Sequence, residues 1–160
     1  MLLLAAGCFT SVSQSAESPT EPPPTAAPIA AETALGASVT AFSVVGYPGT
    51  YTFDVTVRSP DIGCACYADW WEVVSTDGDL LYHRVLPHSH VDEQPFSRSG
   101  GPVPIDPGDT VIVRAHMSTT GYGGSALRGS VKSGFVALTT PPNFAAGLAE
   151  QAPLPSSCAF

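Results

Sequence analysis

Hydrophobic residues recur with a period of two. Tyr51, Phe53, Val55 and Val57 alternate with Thr52, Asp54, Thr56 and Arg58. This pattern gives a strand with one dry face and one wet face, and it is incompatible with a helix, where one face repeats every 3.6 residues. The same reading applies at 39–45, 70–74, 80–86, 110–117 and 125–131, with a short segment at 102–105 that its two prolines confine to a sheet edge. Turn chemistry separates the segments. Asp77-Gly78 sits at the centre of a hairpin turn, Asp106-Pro107-Gly108-Asp109 forms a second turn, and Gly121-Tyr122-Gly123-Gly124 a third. Seven short strands at this spacing predict an all-β fold, a single sandwich of two packed sheets. With 15 Gly and 16 Pro among 160 residues, the composition also disfavours a helical bundle.

The folded part is expected at 37–138. All six basic residues (Arg58, Arg84, Arg98, Arg114, Arg128, Lys132) fall inside it, and the flanks carry only Glu17, Glu21, Glu32 and Glu150. The preceding stretch, 8–36, is rich in Ser, Thr, Ala and Pro and includes Pro22-Pro23-Pro24. It lacks the apolar content to offset chain entropy, so a disordered, extended tether is expected there. Residues 139–160 form a Pro- and Ala-rich irregular tail, with a short helix expected at 144–151. The net charge of −8 with six Lys or Arg excludes a nucleic-acid partner, because phosphate binding needs a basic face.

Two resemblances add to this reading. Met1-Leu2-Leu3-Leu4-Ala5-Ala6-Gly7-Cys8 resembles the end of a bacterial lipoprotein signal peptide. The resemblance implies cleavage after residue 7, lipidation of Cys8, export, and a membrane partner reached through the lipid. Phe9 after the cysteine implies the outer membrane in that family's sorting logic. Residues 1–7 are a partial signal, shorter than the usual apolar region, so the reading frame is expected to start further upstream. Ile105-Asp106-Pro107-Gly108-Asp109-Thr110-Val111-Ile112-Val113-Arg114-Ala115 resembles the turn and penultimate strand of fibronectin type III and related Ig-like domains. That implies the fold and leaves function open.

With Cys8 lipidated, Cys64, Cys66 and Cys158 remain as disulfide candidates in an oxidising compartment. Cys64 or Cys66 pairing with Cys158 would staple the tail to the sandwich. Cys64 with Cys66, or a Cys-x-Cys metal site, are the alternatives. Four histidines cluster in one third of the chain, and the run His88-Ser89-His90 sets two imidazoles on one side of extended backbone. With His116 as a third ligand, this loop is a candidate copper or zinc site. Without it the expectation is no cofactor. Trp70 and Trp71 point to opposite faces, so one is the central aromatic and the other a candidate contact for an envelope protein. No Gly-x-Ser-x-Gly elbow, phosphate-binding loop or His-Glu-x-x-His motif occurs. The chain is therefore expected to be a non-catalytic envelope lipoprotein with a binding or structural sandwich, the metal-binding protein being the alternative.

Overall fold

The computed structural model describes residues 36–159. Cys8, the signal fragment 1–7 and the tether up to residue 35 lie outside the described residues. Among the described residues eight strands form: β1 (Ser38–Val45), β2 (Tyr51–Arg58), β3 (Ala68–Ser75), β4 (Leu80–Val85), β5 (Phe96–Val103), β6 (Val111–Met117), β7 (Ala126–Ser130) and β8 (Gly134–Leu138). They make two antiparallel sheets, β1-β2-β5 and β4-β3-β6-β7-β8. A 3-10 helix at Ala146–Glu150 lies within the expected 144–151 segment. Among the described residues no helix is long and apolar enough to cross a membrane.

The two sheets bury the alternating sets that the sequence marks. Phe53, Val55 and Val57 of β2 are wholly buried, and Val111, Val113, Ala115 and Met117 of β6 meet Trp71 and Val73 of β3 in the same core. Trp71 is the central aromatic. Its ring and that of Tyr82 lie so close to Gly100 that a Cβ there would stand 2.8 Å from Trp71 and 2.7 Å from Tyr82. A glycine is required where the facing sheet approaches an indole this closely.

Two strands depart from expectation. The segment expected at 102–105 is a longer strand, β5, which begins at Phe96, so the connection from β4 is a loop at 86–95. Ser97, Ser99, Gly100 and Gly101 are poor strand formers, but tertiary pairing overrides propensity. Burial of Phe96 and Val103 anchors both ends, while Ser97 Oγ bonds Thr56 Oγ1 (2.8 Å) and Ser99 Oγ donates to Asp54 Oδ1 (2.8 Å). β5 is indeed an edge strand. The eighth strand, β8, lies beyond the seven expected. Its Phe135 packs edge-on against Phe42 at 4.3 Å and against Phe53 at 6.5 Å, closing the sandwich on that side.

The tail is stapled. Cys64 and Cys158 form a disulfide across a separation of 94 residues, with Cα atoms 5.5 Å apart. Cys66 is a free thiol, and its Sγ lies 3.2 Å from Thr119 Oγ1. Next to the staple, the Ala159 N–H donates to the Pro87 carbonyl (2.6 Å), and His88 bridges to Ala159. Closing so long a loop removes denatured-state entropy worth about 4 kcal/mol in the chain-entropy model. Cys158→Ser, or added reductant, is expected to lower unfolding free energy by roughly that amount in guanidinium titrations. Unchanged midpoints would show that the staple does not constrain the unfolded chain.

Candidate functional site

The outward face of the five-stranded sheet should by alternation be solvated. Instead it carries a second buried cluster. Strand pairing sets Trp70 opposite His116 and Glu72 opposite Arg114. All four are buried, Glu72 completely. Arg114 Nε donates to Glu72 Oε1 (2.7 Å), and Trp70 Nε1 donates to Glu72 Oε2 (3.1 Å). The Arg114 guanidinium lies 3.5 Å over the Tyr122 ring, a cation–π contact. Its two terminal nitrogens donate to the carbonyls of Phe144 (2.7 Å) and Ala145 (2.9 Å). The C-terminal tail therefore roofs this face.

Beside the ion pair, His116 Nδ1 meets Asp69 Oδ1 at 2.7 Å, and its ring stacks on Trp70 at 3.6 Å and 9°. An ionised carboxylate only accepts, so the proton sits on Nδ1. His83 of β4 packs against Trp70 at 5.0 Å, with Nδ1 3.9 Å from Glu72 Oε2, and among the described residues neither ring nitrogen has a hydrogen-bond partner. Burial lowers the His83 pKa to about 4, with the Asp69 charge opposing the shift and His116 adding to it. Burial, then the charge of Glu72, raises the Tyr122 phenol, while Arg114 opposes them.

The histidine loop forms a separate cluster at one end of the sandwich. Asp61 ties two loops together. Its Oδ1 accepts from the Ala68 N–H (2.9 Å), and its Oδ2 accepts from the His90 N–H (2.8 Å). Gln94 completes the join, accepting from the Ser59 N–H (3.0 Å) and donating to Ser59 Oγ and the His90 carbonyl (both 3.1 Å). The His90 ring stacks on Phe96 at 3.6 Å, and burial, then Arg98 and His88, lower its pKa to about 4. An open cleft of about 360 Å³ lies here, lined by Gly63, Cys64, Ser89, His90, Val91, Asp92 and Glu93.

These positions correct two expectations. His88 and His90 do adjoin, with ring centroids 4.5 Å apart, as their spacing implies. His116 does not join them as a third ligand. It is committed to Asp69 and Trp70, and among the described residues no group of three or more His, Cys, Asp or Glu side chains is placed to hold a metal ion. Nor is either tryptophan an exposed contact: Trp71 is buried between the sheets, and Trp70 is buried on the outer face among Glu72, His83, His116 and Tyr122. Glu72, Arg114, His83, Asp69, Tyr122 and Asp61 escape the sequence reading. A signal for the ion pair exists, since opposite charges stand in the outward registers of two adjoining strands. What covers them is not local to those strands.

The chain is 43% identical over 83 residues to a protein of Halomicrobium mukohataei described as "Putative lipoprotein"; the match covers 51% of this chain and 40% of that protein. The chain thus spans well under half of this relative's length. No protein-family model matches the chain, and no solved structure matches it.

Removing one member of a buried ion pair strands the other, at a cost of about 3–5 kcal/mol. Glu72→Gln and Arg114→Gln should each destabilise on that scale, and the double variant should cost less than the sum, as a double-mutant cycle in urea would show. Additive losses would mean that the pair is uncoupled. The histidines set an acid limit. His83 and His90 take up a proton near pH 4 when folded and near 6.5 when unfolded. Between these values the unfolded chain binds more protons, so stability is full above pH 6.5 and falls as pH drops towards 4, by up to ~3 kcal/mol per histidine. Urea melts at pH 7, 5.5 and 4.5 should show this loss, and His83→Phe with His90→Phe should flatten it. A slope unaltered by the two changes would assign the acid sensitivity to other groups.

Proposed function

We propose that this chain is a non-catalytic lipoprotein of the cell envelope, exported and held at a membrane through Cys8, which presents its β-sandwich as a binding or structural module. The likeness to the Halomicrobium lipoprotein carries this reading. The residues Ala5-Ala6-Gly7-Cys8 support it, as does the extracytoplasmic chemistry of a disulfide-stapled tail. A sandwich of fibronectin type III kind belongs to this reading, supported by the β1-β2-β5 sheet lying against β4-β3-β6-β7-β8 and by the Asp106-Pro107-Gly108-Asp109 turn that leads into the central strand β6. A non-catalytic role fits the outer-face cluster, where Asp69 is engaged by His116 and Glu72 by Arg114 and Trp70.

Expression of the reading frame with its upstream sequence, followed by detergent-phase partition and intact mass of the mature protein, tests the anchor. The expected result is recovery in the detergent phase with a lipid adduct on a chain beginning at Cys8, lost with Cys8→Ser. An aqueous protein retaining residues 1–7 without lipid would overturn the reading.

A further inference from the structure

The roofed face of the five-stranded sheet has the makings of a recognition site already occupied. Apart from the tail itself, the Arg114 fork has its own supports in the sheet and the β6–β7 loop. Glu72 holds Nε, Tyr122 lies under the guanidinium plane, and Trp70 and His116 stack beside it. None of these contacts needs the tail, so the two outward donors are aimed before anything accepts from them.

The tail, by contrast, sits on this site lightly. Between Leu138 and the staple at Cys158, Leu148 is the only buried apolar side chain, while Pro141, Pro142, Asn143, Ala146 and Gly147 are exposed. Ala145, whose carbonyl fills one Arg114 donor, is held at φ 46° and ψ 38°. A non-glycine residue enters this left-handed conformation only against steric resistance from its own Cβ. A preorganised fork covered by a strained and mostly exposed segment describes a displaceable occupant.

We propose that the Arg114–Tyr122–Trp70 face is a binding site for a short, uncharged peptide turn, recognised through two successive backbone carbonyls and an aromatic side chain, and that the chain's own tail fills it as an autoinhibitory stand-in. The ligand class follows from the charges. Glu72 already sets a buried carboxylate against the guanidinium, which favours a neutral carbonyl over a second carboxylate as the remaining acceptor. The aromatic follows from Phe144, whose ring centroid lies 5.5 Å from the guanidinium carbon. This deepens the binding-module part of the proposed function and is independent of lipid attachment at Cys8.

The test opens the roof without breaking the staple. Ala145→Pro forbids the positive φ that docking requires, since proline fixes φ near −65°. Phe144→Ser is a milder opening variant, and far-UV circular dichroism with thiol counting verifies fold and disulfide in each. The probe is the capped peptide Thr-Pro-Pro-Asn-Phe-Ala-Ala-Gly-Leu-Ala, the sequence of residues 140–149, titrated against tryptophan fluorescence and by calorimetry. The opened variants should bind it at least tenfold more tightly than the parent chain. Arg114→Lys in the opened background keeps the charge facing Glu72 but loses the fork, and should lose binding, as should the probe with Asp in place of its Phe. Opened, folded variants that fail to bind, or that bind equally well after Arg114→Lys, would overturn the proposal and leave the tail a purely structural cover.

Discussion

One buried ion pair governs the outer half of this domain. Glu72 and Arg114 stand opposite each other on the two central strands of the larger sheet, on the face away from the core. Charges there are stable in water, but these are removed from it. Burying them is tolerable only because every strong donor and acceptor is met: the carboxylate by Arg114 and Trp70, the guanidinium by Glu72, the Tyr122 ring and two tail carbonyls. The tail therefore has a reason to lie where it does that is electrostatic before it is hydrophobic.

The disulfide and the ion pair act on the same segment from two ends. Cys158 fixes the far end to the β2–β3 loop, and Arg114 holds the near end over the sheet. Around the staple, Asp61 and Gln94 join the loops at 59–67 and 86–95, so the covalent link lands on a region already crosslinked by hydrogen bonds. The histidine run belongs to this joint. The His90 backbone N–H feeds Asp61 and the His90 ring packs on Phe96, which gives the run a structural role without a metal.

What the sequence makes legible follows from range. Period-two alternation is local, and β2, β3 and β6 appear where it puts them, with the correct residues inward. β5 is foreshortened in the sequence because four small residues hide its alternation, which only pairing with β2 completes. β8 is hidden because its inward signal is a single residue, Phe135. The candidate site is the least legible part. Alternation says which way Trp70 and Arg114 point but not what comes back to cover them. That information lies about 30 residues further on, in two main-chain carbonyls that carry no side-chain signature.

The described chain enters and leaves this domain at one pole. Gly36 abuts Gly123 and Gly124 in the β6–β7 loop, and Ala159 pairs beside Pro87 in the β4–β5 loop at the same end. A support that grips the domain directly at residue 36 or at residue 159 therefore grips the same pole, and the other is left free to meet a neighbour. That far pole is built of four turns: Gly46-Tyr47-Pro48-Gly49 with its tyrosine 79% exposed, Asp77-Gly78-Asp79, Asp106-Pro107-Gly108-Asp109, and Val131-Lys132-Ser133, whose Lys132 N–H donates to the Pro107 carbonyl. The domain thus has a polarity of its own, with an exposed tyrosine and paired aspartates at one tip and the staple, the histidine loop and both ends of the described segment, Gly36 and Ala159, at the other.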